Sequence, residues 1–153
     1  DRAISPTTQV RDPRKPLKWR SGGGGMVGTV SDYARFAQML LNGGVYEGRR
    51  YLKAETIALM ASDHIGPETG VARDKNYYPG PNSGFGLGFA VRMQQGIAPF
   101  SGSVGQYFWS GMAGTFFWID PHEDLIAVFM MQGPGQREYT RSLVRNGVYA
   151  AVE

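Results

Sequence analysis

Two periodicities divide the chain. Tyr33, Phe36, Ala37, Leu40 and Leu41 recur at helical spacing and predict an amphipathic helix, which Ser31 is placed to cap. Asp32 suits the positive end of its dipole, and Asn42-Gly43-Gly44 stops it. A turn at Glu47-Gly48 leads into Arg49 to Leu52, and a second short helix is expected near 54–61 with Ile57 and Met60 facing inward. The polar, Gly- and Pro-rich stretch from Ser62 to Ser83 reads as a long loop. The period then changes to two. From Ser83 to Arg92, one face carries Phe85, Leu87, Phe89 and Val91, and the other Gly84, Gly86, Gly88 and Ala90. Such a strand has a bare face that another backbone can approach closely. Further strands are expected around 107–109 with 115–119, and over 125–132, with Asp120-Pro121-His122-Glu123-Asp124 as the hairpin turn between the last two. A closing helix over 136–151 places Tyr139, Leu143 and either Val144 or Gly147 on one stripe.

Helix, helix, three or four antiparallel strands and a final helix predict an α+β fold, an antiparallel sheet flanked by helices. With 153 residues, 42% of them hydrophobic, the chain can bury one real core. No apolar run approaches the ~20 residues of a membrane span. The start, Asp1-Arg2-Ala3-Ile4-Ser5, has neither an initiator Met nor a signal-peptide core, so it is expected not to be the natural N-terminus. The net charge of +3 is uneven: Arg2, Arg11, Arg14, Lys15, Lys18 and Arg20 face only Asp1 and Asp12, so this arm carries +4 and the remainder −1. Three prolines, no helical period and a lone aromatic, Trp19, make residues 1–21 an extended, solvated basic arm rather than a nucleic-acid site. The absence of Cys removes disulfides and thiolate chemistry and leaves the compartment open.

Candidate chemistry is quickly narrowed. His64 and His122 are far apart and belong to no metal-ligand pattern, so neither a metal nor another cofactor is expected; His122 reads as a surface residue. The run Ser101-Gly102-Ser103-Val104-Gly105 is only the nearest approach to a nucleophile elbow, and Ser103 reads as a loop hydroxyl. Gly23 to Gly28 matches Gly-x-Gly-x-x-Gly but follows no convincing strand, and no Gly-Lys-Ser/Thr is present.

What remains is Gly105-Gln106-Tyr107-Phe108-Trp109-Ser110-Gly111-Met112-Ala113-Gly114-Thr115, followed by an aromatic strand and the Asp120-Pro121 turn. Together with Gly24 to Thr29, the helix from Ser31 to Leu41 and the Gly84 to Phe89 strand, this order resembles the C-terminal half of class C β-lactamase-like proteins of the β-lactamase and penicillin-binding-protein superfamily. It is most similar to the family VIII carboxylesterases, over most of the chain from about Gly22. The resemblance implies that 22–153 is the C-terminal portion of a β-lactamase/transpeptidase-like serine hydrolase domain. In that superfamily a Ser-x-x-Lys box supplies nucleophile and base, a Tyr-x-Asn-type box a second base, and a Lys-Thr-Gly-type box lies on an active-site strand. No Ser here has Lys three residues on, and no Tyr has Asn or Ser two residues on. Only the third box has a counterpart, Trp109-Ser110-Gly111.

By the same resemblance Met112 would offer a backbone N–H to the oxyanion, Gly111 would let substrate and strand approach, Ser110 would hydrogen-bond the substrate's polar end, and Trp109 would put an apolar wall where a cation usually stands. Losing that cation removes a charge-assisted partner for a β-lactam carboxylate and favours small neutral acyl substrates. Taken alone, Trp109 reads equally well as a core aromatic. The expected partners are the N-terminal half of the same hydrolase and a small acyl substrate, and the 153 residues alone are expected to be inactive. The alternative is a noncatalytic binding or self-assembling module, with a second copy covering the exposed sheet region. Anion binding by the basic arm ranks last.

Overall fold

Thr29, two residues before the expected cap, starts the first helix, α1 (Val30–Leu41). Its hydroxyl accepts from the Asp32 N–H at 3.1 Å while the Asp32 carboxylate accepts from the Thr29 hydroxyl and N–H at 2.7 and 3.4 Å. Ser31 has no such reciprocal partner, because Ala34 stands three residues on. The Thr29 hydrogen bonds hold the Asp32 carboxyl below its ordinary value. That carboxylate also fills the helix's positive end, where a pyrophosphate on the preceding glycines would have to sit. The computed structural model describes residues 12, 14–16, 18–19, 22–23, 26–74, 77–96 and 100–152. The expected basic arm falls largely outside these residues.

After α1, strands β1 (Val45–Tyr46) and β2 (Arg49–Arg50) form a hairpin around Glu47 and Gly48, both at positive φ, 47° and 74°. Helix α2 (Ala54–Met60) follows, with Ile57 buried as expected. The second half builds a five-stranded antiparallel sheet in simple sequence order: β3 (Ser83–Phe85), β4 (Ala90–Arg92), β5 (Tyr107–Ser110), β6 (Phe116–Asp120) and β7 (Leu125–Phe129). Helix α3 (Arg137–Tyr149) closes the chain. The fold is thus α+β, an antiparallel sheet flanked by helices. No helix among the described residues is long and apolar enough to cross a membrane.

The extra strand arises because 83–92 is a hairpin, not one strand. Phe85 pairs with Ala90 and Ser83 with Arg92, and Gly88 turns the chain at φ 92°. Leu87 therefore leaves the bulky face and is exposed at the turn. The expected close approach to the bare positions does occur. A Cβ on Gly86 would lie 2.0 Å from the Met60 carbonyl oxygen, which accepts the Leu87 N–H at 2.9 Å.

The sheet's two faces differ in kind. One packs Phe89, Val91, Tyr107, Phe117 and Ile119 against Ala37, Met39 and Leu40 of α1 and Ile57 of α2. Each large apolar side chain buried there is worth roughly 1.5–3 kcal/mol. The opposite face carries Ala90, Phe108, Phe116 and Trp118 beneath Val144, Val148 and Tyr149 of α3. The stripe expected on α3 is wrong in its main members: Tyr139 and Leu143 are exposed, and Arg141 and Arg145 turn inward. Aromatic faces explain how a guanidinium is accepted there. The Arg145 guanidinium carbon lies 4.0 Å from the Phe100 ring centroid, with the Phe108, Phe116 and Trp118 rings within 5.8 Å. Burial pulls its pKa down to about 9.

Candidate active site

Strand β5 runs out of partners on one side before it ends. On the β6 side the ladder is complete, Trp109 facing Phe117 and Ser110 facing Phe116. On the β4 side it stops at Phe108 and Ala90, because the chain before Ala90 has entered the hairpin turn. Trp109 and Ser110 therefore present a β5 edge to which β4 adds no pairing.

Beyond Ser110 the chain reverses sharply. The Gly111 N–H donates to Thr115 O at 2.8 Å and the Gly114 N–H to Gly111 O at 3.1 Å, which places Met112 at the second position of a four-residue turn. A Cβ on Gly111 would sit 2.2 Å from the Thr115 hydroxyl, so a side chain here would have to displace that hydroxyl. Four carbonyls around the turn are engaged: Gly111 O and Thr115 O accept from Arg141 Nη2 at 2.5 and 3.2 Å, Met112 O from Arg137 Nη1 at 3.0 Å, and Ala113 O from the Gly133 N–H at 2.9 Å. The Met112 N–H, by contrast, donates to none of the described residues, and the Met112 side chain is 66% exposed.

A cavity of about 230 Å³ opens beside this turn, lined by Tyr33, Trp109, Ser110, Gly111, Phe117 and Met130 among others. Its walls are mostly apolar, and partial burial raises the Tyr33 phenol above its ordinary pKa. Trp109 is half-buried, with the edges of Phe85 and Tyr78 at 4.9 and 5.5 Å between centroids, and it also lines the cavity. It is both a packed aromatic and a wall. The Ser110 hydroxyl is hydrogen-bonded to the Tyr78 hydroxyl, which accepts from Arg141 Nη1 at 3.0 Å.

The four residues singled out from the sequence thus lie together on one strand end and its turn. Tyr78, Arg137 and Arg141 were missed. Tyr78 belongs to the aperiodic loop, but Arg137, Arg141 and Arg145 form a four-residue repeat along α3 that a search for basic as well as apolar stripes would have found. Ser103 and His122 stand apart from this site. The Ser103 N–H donates to the buried Asp120 carboxylate at 3.0 Å and its hydroxyl to Glu123, while His122 is an exposed neighbour of Glu123. Asp120 also accepts from Tyr149 at 2.5 Å and Gln106 at 3.3 Å, a buried polar cluster that ties α3 to the strand ends.

Comparison with known proteins gives a consistent picture. A family model described as Beta-lactamase matches residues 2–150. Protein Rv1367c of Mycobacterium tuberculosis is 31% identical over 124 residues, which is 76% of this chain and 30% of that protein. Among solved structures, EstCE1, "a hydrolase with promiscuous acyltransferase activity", is similar with a TM-score of 0.68 and 27% identity over 84% of this chain and 32% of its own. A beta-lactamase (Mb2281c) from Mycobacterium bovis has a TM-score of 0.57 and 26% identity over 82% of this chain and 43% of its own. The chain therefore spans about a third of the length of the first two and under half of the third.

Proposed function

The chain belongs to the beta-lactamase family, and from that premise we propose that it is the C-terminal part of a serine hydrolase acting through an acyl-enzyme, supplying the active-site strand and one oxyanion N–H but not the nucleophile. The observation that carries this reading is the Met112 N–H, which donates to none of the described residues on a turn whose Gly111, Met112 and Ala113 carbonyls are held, beside the end of β5 that β4 leaves unpaired and an open cavity. Acyl transfer needs such a donor. When a hydroxyl attacks the scissile carbonyl, the electron pair moves onto the carbonyl oxygen, and each preorganised N–H facing that oxygen is worth about 3–4 kcal/mol. The second N–H, the attacking hydroxyl and its base come from outside these residues.

Trp109, Ser110 and Gly111 set what lies against the strand. An extended acyl group placed along the free edge meets the Trp109 ring and can hydrogen-bond Ser110. Arg141 is linked to Ser110 through the Tyr78 hydroxyl, but its two terminal nitrogens are already taken up by Glu138, Tyr78, Gly111 and Thr115. With those nitrogens held, Arg141 is not free to pair with a substrate carboxylate, which favours small neutral esters over β-lactams. Exposed Met26, Val27 and Val30, which lead in sequence to Tyr33 of the cavity wall, fit a surface that the N-terminal portion of the same hydrolase covers.

Turnover of p-nitrophenyl acetate and nitrocefin tests the division of labour. The 153 residues alone are expected to hydrolyse neither. Adding the N-terminal portion should restore ester hydrolysis ahead of nitrocefin hydrolysis. Turnover by the chain alone, abolished by Ser110→Ala or Ser103→Ala, would overturn the reading. Self-association of the chain with no gain of activity on complementation would favour an assembly module instead.

A further inference from the structure

We infer that Arg141 is a positioning residue for the oxyanion donor, because its guanidinium holds the one peptide group to which the Met112 N–H belongs; this rests on the reading of Met112 as that donor. The Gly111 carbonyl and the Met112 N–H are two ends of a single planar trans peptide unit and point in opposite directions. Whatever fixes the carbonyl fixes the N–H. Arg141 Nη2 donates to that carbonyl at 2.5 Å, and the Gly114 N–H adds a second bond at 3.1 Å. The bond from the guanidinium is charge-assisted, roughly twice as strong as a neutral one. It also draws electron density toward the carbonyl oxygen, which makes the N–H across the same amide a stronger donor.

The guanidinium is itself over-determined. Its side chain is 6% exposed, it stands 5.7 Å from the Phe116 ring centroid, and Nη1 is held by Glu138 at 3.1 Å and Tyr78 at 3.0 Å. Nη2 also reaches Thr115 O at 3.2 Å, the same oxygen that accepts the Gly111 N–H, so one side chain grips both strands at the neck of the turn. Helix α3 thereby sets the direction of a donor that it never exposes. Arg137 provides the internal contrast. It lies four residues earlier and also binds a turn carbonyl, Met112 O at 3.0 Å, but that oxygen belongs to the next peptide unit, whose N–H is that of Ala113. Arg137 therefore does not orient the Met112 N–H.

The test is steady-state hydrolysis of p-nitrophenyl acetate by the complete hydrolase, comparing Arg141→Ala, Arg141→Lys and Arg137→Ala, each with and without Met112→Pro, which removes the N–H in question. Arg141→Ala should lower kcat by about 10- to 100-fold and move KM by less than about threefold, since a donor misplaced by an ångström fails chiefly in the transition state. Arg137→Ala should cost less than about threefold. In the Met112→Pro background Arg141→Ala should add almost nothing, because the group through which it acts is gone. A role confined to holding the fold would instead cost the same factor in both backgrounds, and that result overturns the inference. If Arg141→Ala does not fold, Arg141→Lys carries the test: one cationic donor on Gly111 O without the span to Thr115 and Tyr78 should cost about 3- to 10-fold, all in kcat, and an unchanged kcat overturns it. Met112→Pro without effect sinks the reading of Met112 and the inference with it, whereas a crippled Met112→Pro beside a fully active Arg141→Ala sinks the inference alone.

Discussion

The two faces of the sheet solve the same burial problem with different chemistry. Against α1 and α2 the layer is apolar, with Leu40 and Ile119 almost completely enclosed. Against α3 the layer is aromatic and cationic, with Arg145 as enclosed as Trp118. An apolar layer is tolerant, because hydrophobic contact is non-directional and a neighbour can relax into lost volume. A guanidinium layer is directional. Its donors must reach particular oxygens, and in reaching them Arg141 fixes the turn that carries Met112 and Arg145 fixes the Ser101 carbonyl. The face that looks less suited to a core is the one that shapes the candidate site.

The sharpest way to break this contrast is at Arg145. Arg145→Ala removes a side chain packed among four rings and should cost about 4 kcal/mol in urea unfolding. Arg145→Met keeps most of the volume but leaves the Ser101 carbonyl without its donor, and should still cost about 2 kcal/mol. If Met instead stays within about 0.5 kcal/mol of wild type, volume rather than direction is what this face requires. On the apolar face, Leu40→Ala should cost about 3 kcal/mol, and Leu40→Met less than about 1.5. An equal penalty for both would mean that this face is no more tolerant than the other.

How far the sequence foretold these faces follows from what each is made of. Helix α1 was legible because its apolar side chains repeat at helical spacing, and strands β6 and β7 because each is a short continuous apolar run on either side of the Asp120 to Asp124 turn. The inward face of α3 was not, since arginine counts as polar in any apolar pattern although its guanidinium packs flat on rings. The hairpin in 83–92 was hidden for a different reason. Alternating Gly and bulky residues satisfies a period of two in a straight strand, and only the positive φ of Gly88 and the contact of Gly86 with the end of α2 reveal the fold-back. Gly86→Ala tests this, and the clash with the Met60 carbonyl should cost about 2 kcal/mol in thermal unfolding. At the site, family likeness singled out Trp109, Ser110, Gly111 and Met112, which lie together on one strand end and its turn, whereas Tyr78 and the arginines that brace the turn come from a loop and a helix that carry no motif.

The smallest effects are expected at the start of α1, where both faces' arguments are replaced by local hydrogen bonding. Thr29→Ala should cost about 1 kcal/mol. Because the Asp32 carboxyl lies below its ordinary value of 3.8, its contribution is fully present above that pH and fades as the pH falls below 3.8 through the folded value. The stability gap between wild type and Thr29→Ala should therefore narrow on acidification; a gap that widens would mean that Asp32 is not held by Thr29.

The central claim is that the Met112 N–H stabilises an oxyanion, and replacing Met112 by proline examines it with the least disturbance. Met112 is the second residue of the Gly111 to Gly114 turn, a position that proline favours, and its N–H closes no hydrogen bond with the described residues. In the complete hydrolase Met112→Pro should lower kcat for p-nitrophenyl acetate by about 100- to 1,000-fold while Met112→Ala leaves it within about threefold. Equal activity in the two variants, both folded, would contradict the account.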